Sequence, residues 1–241
     1  MIVRQCCDFD IVRCTEIWKK SFPQDMDFAD IYFNGIHRND CSFVCEYEGV
    51  VSGYLSAIPF KADVYGEKVD CRYYYGICVD PDMRGRGIMR EMLQKSLSKY
   101  NCFSVLIPAI TGLYERFGFT YMTEKTRILL SGSGADGREC EDINHINMIY
   151  DKFRAGFDIS LERSEYWWKI ILTEIKREGF SVIANDGAYA VKKGNKVLEL
   201  AYVSEFYKKS LPLENCELIL PQSMSRGSKN SGNNYLALML D

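Results

Sequence analysis

Apolar positions recur along the first half of this chain with two different periods, which predicts a mixture of helices and strands. Helical spacing is typical of residues 9–21, 28–38 and 88–100. Alternating or β-branched runs predict strands at the N-terminus and at residues 42–47, 50–59, 71–79, 103–108 and 120–130. A short helix is expected around Tyr114, and Glu48-Gly49 favours a hairpin turn. The pattern is that of an α/β protein.

The second half of the chain repeats this order of helices followed by strands. Its pattern predicts helices at residues 142–154 and 164–177, and strands at residues 181–185, 188–192, 197–203, 216–220 and 235–240. The glycine- and serine-rich segment 131–137 is the clearest linker in the chain. We therefore expect an α+β mixed sheet with flanking helices in each of two domains, at residues 1–132 and 138–241.

A glycine-rich turn joins the predicted strand 71–79 to the helix that follows it. Gly85 and Gly87 permit backbone angles closed to other residues, so N–H groups from about Gly85 to Met89 can point at one anion. Arg84 and Arg86 add positive charge beside the turn. A P-loop and a dinucleotide fingerprint are excluded, because no Lys-Ser or Lys-Thr follows the glycines and the third glycine is missing. A plain tight connection between a strand and a helix is the alternative interpretation of this turn when it is read alone.

Two motifs together carry a resemblance to a known superfamily. Arg84-Gly85-Arg86-Gly87-Ile88-Met89 resembles the acetyl-CoA pyrophosphate loop of the GNAT N-acetyltransferases. Leu113–Phe119 resembles the Tyr-x-x-x-Gly-Phe segment that follows their fifth strand. Met89, with softer matches at residues 17–23, 163–168 and 235–240, resembles the enhanced intracellular survival (Eis) branch. A length of 241 residues leaves no room for the sterol-carrier-like domain that ends full-length Eis proteins.

The resemblance implies a tandem GNAT-like fold in which the first half binds acetyl-CoA and the second half is degenerate. Acetyl-CoA would be the co-substrate, and the residues implied to hold it are Ile77, Cys78, Val79, Arg84, Gly85, Arg86, Gly87, Ile88 and Met89. Backbone N–H groups around Ile77–Val79 would face the developing oxyanion. Tyr114 would be the catalytic acid that protonates the departing thiolate, with a core tyrosine as the alternative. The second half would either shape the acceptor groove or serve a structural role only.

The predicted function is N-acetyl transfer from acetyl-CoA to a primary amine by direct attack in a ternary complex. The acceptor is left open between a small cationic amine, such as an aminoglycoside or polyamine, and a lysine side chain. A non-catalytic acyl-CoA-binding sensor or scaffold is the alternative, because the sequence names no general base. Glu46 and Glu48 are typical of solvated strand and turn positions, and the chain-end role known in Eis proteins is not transferred to Asp241.

Composition and charge narrow the classes of partner. The net charge of −3 argues against a nucleic acid or an anionic membrane as the main partner. No apolar run reaches the length of a membrane span, and charged residues occupy the N-terminus in place of a signal sequence, so we expect a cytoplasmic protein. The ten cysteines form no Cys-x-x-Cys pair and only two histidines are present, so we expect free thiols and no metal site. Homo-oligomer formation is left open.

Overall fold

The computed structural model describes residues 1–227 and 234–235, and these residues form two compact units. Unit 1 consists of Met1–Phe60, Asp70–Thr120 and Ser225–Gly227. Unit 2 consists of Lys61–Val69 and Tyr121–Met224 together with Asn234 and Tyr235. Each unit is thus assembled from separate stretches of chain. The contiguous domain boundaries at 1–132 and 138–241 stay a prediction.

The strands agree with most of the predicted ones and add several short ones. They are β1 (Ile2–Gln5), β2 (Ser42–Tyr47), β3 (Val50–Val64), β4 (Glu67–Val79), β5 (Phe103–Leu106), β6 (Thr120–Thr123), β7 (Thr126–Leu129), β8 (Arg138–Glu139), β9 (Ile159–Leu161), β10 (Ser181–Ala184), β11 (Ala188–Lys193), β12 (Lys196–Tyr202), β13 (Glu217–Leu220), β14 (Ser223–Arg226) and β15 (Asn234–Tyr235). Beyond Tyr235, the strand predicted at 235–240 lies outside the described residues.

The helices also follow the predicted pattern. They are α1 (Ile11–Ser21), α2 (Met26–Ile31), α3 (Ile88–Tyr100), α4 (Ile143–Arg154), α5 (Glu165–Arg177) and α6 (Glu205–Ser210). A π-helical turn, Tyr32–Ile36, extends α2, and a 3-10 turn, Glu115–Phe117, stands where the short helix near Tyr114 was expected. In the part of the chain that the structure describes, no helix is long and apolar enough to cross a membrane.

Two mixed sheets organise the strands. The first has the order β1-β2-β3-β4-β5-β14-β6, in which β4 and β5 are parallel while β1 and β3 run antiparallel to β2. The second has the order β7-β13-β12-β11-β10-β8, with β12 and β13 parallel. The end of β3 that belongs to unit 2 pairs with β9 through Ala62, Asp63 and Val64. This is the arrangement of mixed sheets with flanking helices that the sequence predicts.

The single strand predicted across residues 120–130 is wrong, because the structure contains two strands there. β6 ends at Thr123 and β7 begins at Thr126, with the polar pair Glu124-Lys125 between them. β6 lies at the edge of the first sheet beside β14, whereas β7 pairs with β13 in the second sheet. Threonine and apolar residues continue on both sides of the break, so the sequence pattern does not reveal it.

Residues 131–137, which the sequence predicts as a linker, lie within unit 2. The backbone of this segment is held within unit 2 by hydrogen bonds, from Gly134 N to Lys209 O at 3.2 Å and from Asp136 N to Ser210 O at 3.0 Å. A Cβ on Gly134 would lie 2.0 Å from Ser210 O. The glycines therefore serve close packing of two backbones, and the same composition is typical of flexible linkers.

An aromatic cluster around Trp18 of α1 packs on β4 in unit 1. Trp18 is buried and its ring lies 4.7 Å from the ring of Tyr32 and 5.6 Å from the ring of Tyr75, measured between centroids. The same indole covers Gly76, where a Cβ would lie only 2.1 Å from Trp18 Cζ3. Gly76 also has a φ of +60°, so its lack of a side chain meets two requirements at once.

We expect Gly76→Ala to destabilise the protein by about 2 to 4 kcal/mol, because left-handed backbone strain adds to an overpacked contact with Trp18. Urea unfolding monitored by circular dichroism measures the change. Gly49→Ala is the matched control, since Gly49 has a φ of +79° and open space around its Cα. The Gly49→Ala control measures the effect of backbone strain alone. An equal decrease in the free energy of unfolding in the two variants would therefore contradict a packing role for Gly76.

Candidate active site

The site lies where β4 and β5 separate within unit 1. The two strands pair in parallel from Cys71–Phe103 to Tyr73–Val105, and β4 then runs on to Val79. A cavity of about 670 Å³ opens beside this end of β4. The residues that line it are Ser21, Phe22, Gln24, Ile77, Cys78, Val79, Met83, Arg84, Gly85, Gly87, Ile88, Met89, Arg90, Ala109, Ile110, Leu113, Tyr114 and Arg116.

The cavity brings together most of the residues that the sequence singles out. Ile77, Cys78 and Val79 line it, as do Tyr114 and all of the glycine-rich turn except one residue. The exception is Arg86, whose guanidinium carbon lies 5.1 Å from the centroid of the Tyr47 ring. Four lining residues were not predicted for the site. Arg90 and the apolar residues Phe22 and Ile110 belong to no motif, and Arg116 occupies a variable position of the Tyr-x-x-x-Gly-Phe segment.

The turn has the backbone geometry expected of an anion cradle. Gly85 and Gly87 have φ angles of +78° and +79°, and Gly87 caps the N-terminus of α3. The first helical residue, Ile88, is buried, and Glu91 N donates to Gly87 O at 3.1 Å. The N–H groups of the first helical turn have no partner within a helix, so an anion at this end of α3 is favoured by free donors and by the helix dipole.

A buried carboxylate, Asp80, supports the entry to this turn. Its Oδ2 accepts from Arg13 Nη2 at 2.5 Å and from Lys20 Nζ at 3.3 Å, both on α1. Its Oδ1 accepts from Asp82 N at 3.2 Å, which fixes the 3-10 turn before the glycines. Burial alone would raise the pKa of Asp80, but these hydrogen bonds and charges outweigh it and hold that pKa below its usual value.

Tyr114 lines the same cavity as the glycine-rich turn. Its side chain is buried and its ring lies 6.3 Å from the ring of Phe119. Burial raises the pKa of Tyr114 to about 12, so the phenol is protonated at neutral pH and can donate a proton. Among the described residues, no side chain or backbone group forms a hydrogen bond to its hydroxyl. The position suits an acid acting on a group inside the cavity.

The carboxylates considered as bases are placed elsewhere. Glu46 accepts from Arg4 Nε at 2.8 Å and from Arg4 Nη2 at 2.6 Å, so an ion pair holds it. Glu48 lies in the β2–β3 turn with a φ of +53° and is exposed. Neither residue lines the cavity, whose described lining contains no Asp or Glu. Two tyrosines of β4, Tyr73 and Tyr75, are buried, and the centroids of their rings lie 5.6 Å apart.

Comparisons with known proteins agree with this geometry. The family model of the acetyltransferase (GNAT) domain matches residues 3–122. Among curated proteins, a sequence search finds no match. The fold is similar to the crystal structure of Eis1 from Mycobacterium abscessus, with a TM-score of 0.74 and 15% identity over 94% of this chain and 73% of that chain.

Two further solved structures share the fold. A GCN5-related N-acetyltransferase from Anabaena variabilis has a TM-score of 0.72 at 15% identity, over 93% of this chain and 72% of that chain. A putative acetyltransferase from Pyrococcus horikoshii has a TM-score of 0.64 at 17% identity, over 95% and 89% of the two chains. At 15% to 17% sequence identity, these similarities show the fold alone. They confirm the predicted mixed α/β architecture, which matches the tandem folds of Eis and related proteins.

We expect Asp80→Asn to lower the free energy of unfolding at pH 7 by about 1 to 3 kcal/mol, because it removes the charge that Arg13 and Lys20 contact. A carboxylate with a depressed folded pKa stabilises the protein above its unfolded pKa of about 3.9. The difference in free energy of unfolding between the unaltered protein and Asp80→Asn should therefore be constant from pH 8 to pH 5. It should become smaller only as the pH falls through about 4. Urea unfolding across this range measures it, and a difference that narrowed near pH 7 would contradict the assignment.

Proposed function

We propose that the protein, whose residues 3–122 match the family model of the acetyltransferase (GNAT) domain, transfers the acetyl group of acetyl-CoA to a primary amine. The observation that carries the proposal is the shared cavity: the glycine-rich turn, the free end of β4 and the Tyr114 side chain all open onto the same 670 Å³. An anion cradle, a row of backbone donors and a protonated phenol are the parts that this reaction needs.

Acetyl-CoA fits the residues that line the cavity. Its diphosphate would lie at the turn, where the backbone N–H groups from Gly85 to Met89 and the Arg84 side chain supply donors. Apolar side chains on both sides, such as Ile77 and Leu113, suit the pantetheine arm, which is largely uncharged. No motif for a resident cofactor is needed, because acetyl-CoA is consumed as a substrate.

The proposed reaction is a single displacement. The neutral amine nitrogen attacks the thioester carbonyl, so that a C–N bond forms and the C–S bond breaks. Backbone N–H groups at Ile77–Val79 would stabilise the negative charge on the carbonyl oxygen. The thiolate of coenzyme A leaves and takes a proton from the Tyr114 hydroxyl. Solvent receives the proton that the amine loses and returns one to the Tyr114 phenolate.

The proposed acceptor is a primary amine. A small cationic amine, such as an aminoglycoside or a polyamine, and a lysine side chain remain the candidates. A polycation would be favoured by an acidic groove. The described lining of this cavity carries arginines and no carboxylate, so it does not form one. The arginines and the phosphates of acetyl-CoA would offset each other, so the bound substrate influences the charge that the amine meets.

A non-catalytic acyl-CoA sensor is the second candidate function. The observation that favours it is the placement of Glu46 and Glu48, which leaves the described cavity without a carboxylate base. A sensor would bind acetyl-CoA at the same turn and release no thiol with any amine. Binding and turnover must therefore be measured separately.

For binding, we expect micromolar affinity for acetyl-CoA by isothermal titration calorimetry, and a dissociation constant raised roughly ten- to hundredfold in Arg84→Gln, because one charge-assisted contact to the diphosphate is lost. Arg127→Gln is the control, since Arg127 is exposed on β7 and lies outside the cavity. Failure of the unaltered protein to bind acetyl-CoA would overturn the proposed function.

For catalysis, we expect Tyr114→Phe to lower kcat by about a hundredfold or more, because the leaving thiolate loses its proton donor. Acetyl-CoA affinity should be unchanged, and coenzyme A release detected with a thiol reagent measures the rate. Tyr166→Phe is the control, since Tyr166 is 47% exposed. Because the pKa of Tyr114 is about 12, we expect its deprotonation to cause no fall in kcat below pH 10. Full activity in Tyr114→Phe would refute its role.

A further inference from the structure

The end of helix α1 reaches the unpaired edge of β4. Asp80 N donates to Ser52 O of β3 at 2.9 Å. Because successive residues of a strand point their backbone groups to opposite sides, the N–H and C=O of Val79 face away from β3, toward the side on which β5 has separated. The Val79 carbonyl on that side accepts from Ser21 Oγ at 3.3 Å. The Ser21 hydroxyl therefore lies at the unpaired edge, next to one of the proposed oxyanion donors.

Three contacts hold this end of α1 against the strand. Besides the Ser21 hydrogen bond, Arg13 Nη2 lies 2.5 Å from Asp80 Oδ2, and Lys20 Nζ lies 3.3 Å from the same atom. Ser21 is partly buried and is the last residue of α1, so the helix sets its backbone position. A hydroxyl placed by a helix and two ion pairs needs little reorganisation to meet a substrate.

The hydrogen bond to Val79 fixes how the Ser21 hydroxyl can act. A hydroxyl has one proton to donate and two lone pairs with which to accept. The proton of Ser21 is used on Val79 O, so its oxygen remains an acceptor in the cavity that both residues line. A neutral primary amine has two N–H donors and one lone pair, and it attacks fastest when its orientation is fixed with the lone pair facing the carbonyl carbon. An acceptor for one N–H supplies that orientation.

We propose that Ser21 binds the attacking amine by accepting a hydrogen bond from one of its N–H groups, and so directs the nitrogen lone pair at the thioester. This rests on the proposed function, because it assumes that acetyl-CoA occupies the cavity. Ser21 keeps its own proton throughout. The proton that the amine loses passes to solvent as the C–N bond forms and the C–S bond breaks. Ser21 thus contacts the substrate nitrogen, whereas Tyr114 contacts the departing sulfur.

The test compares the unaltered protein with Ser21→Ala, Ser21→Thr and the control Ser204→Ala. Alanine removes the hydroxyl with little change of volume, and threonine keeps it. Ser204 is exposed, makes no side-chain hydrogen bond to α6 and lies outside the cavity. Coenzyme A release is followed with ethylamine, spermidine and Nα-acetyl-lysine amide as probes, and isothermal titration calorimetry gives the dissociation constant for acetyl-CoA. Thermal unfolding verifies that each variant is folded.

With each probe that the unaltered protein acetylates, we expect Ser21→Ala to lower kcat/KM for the amine about tenfold or more, because one hydrogen bond to the amine is lost. Ser21→Thr and Ser204→Ala should stay within about threefold of the unaltered protein, because each keeps the hydroxyl at position 21. The dissociation constant for acetyl-CoA should be the same in all four proteins.

Two results would overturn the inference alone. One is an unchanged kcat/KM in Ser21→Ala. The other is a dissociation constant for acetyl-CoA that rises in Ser21→Ala by the same factor as kcat/KM falls, because Ser21 would then act only by holding the Val79 backbone. Absence of amine-dependent coenzyme A release from the unaltered protein with all three probes would overturn the proposed function and the inference with it.

Discussion

The candidate site depends on one geometric constraint, the parting of two parallel strands. β4 and β5 share hydrogen bonds only as far as Tyr73–Val105, and the unpaired end of β4 then forms one wall of the cavity. Gly76 lies near the start of this end, where the backbone has a positive φ and the Trp18 ring covers it. A strand that leaves its neighbour exposes backbone N–H groups, and under the proposed function these would be the donors to the acyl group.

The charge distribution in unit 1 complements this geometry. Asp80 is a buried negative charge one turn before the glycines, and Arg13 and Lys20 of α1 balance it. Because those two cations are satisfied, the positive field that remains in the cavity comes from the helix terminus and from Arg84, Arg90 and Arg116. The same pairing ties α1 to the entry of the turn. The last residue of α1, Ser21, and the residue after it, Phe22, also line the cavity.

Most of the fold and the centre of the site could be predicted from the sequence, because both rest on local patterns. Strand β2, the Glu48-Gly49 turn and the helix that opens at Ile88 follow from residue periodicity and turn chemistry. The return of β14 between β5 and β6 could not be predicted, since its four residues gain their strand partners only from distant parts of the chain. Arg116 lies inside a recognised motif, yet only the structure shows that it lines the cavity.

The protonation states around the cavity limit how an amine can react there. Tyr114 begins protonated, since burial raises its pKa to about 12, so under the proposed reaction it would act as an acid and not as a base. Glu46 is held by Arg4, and Asp80 is held by Arg13 and Lys20, so each carboxylate already has its cation. Under the proposed reaction, the amine must therefore lose its proton to water before or during attack. The pKa of the amine itself then sets how much of the substrate can react at a given pH, and an acceptor whose pKa is lowered by neighbouring positive charges within its own molecule gains in reactivity.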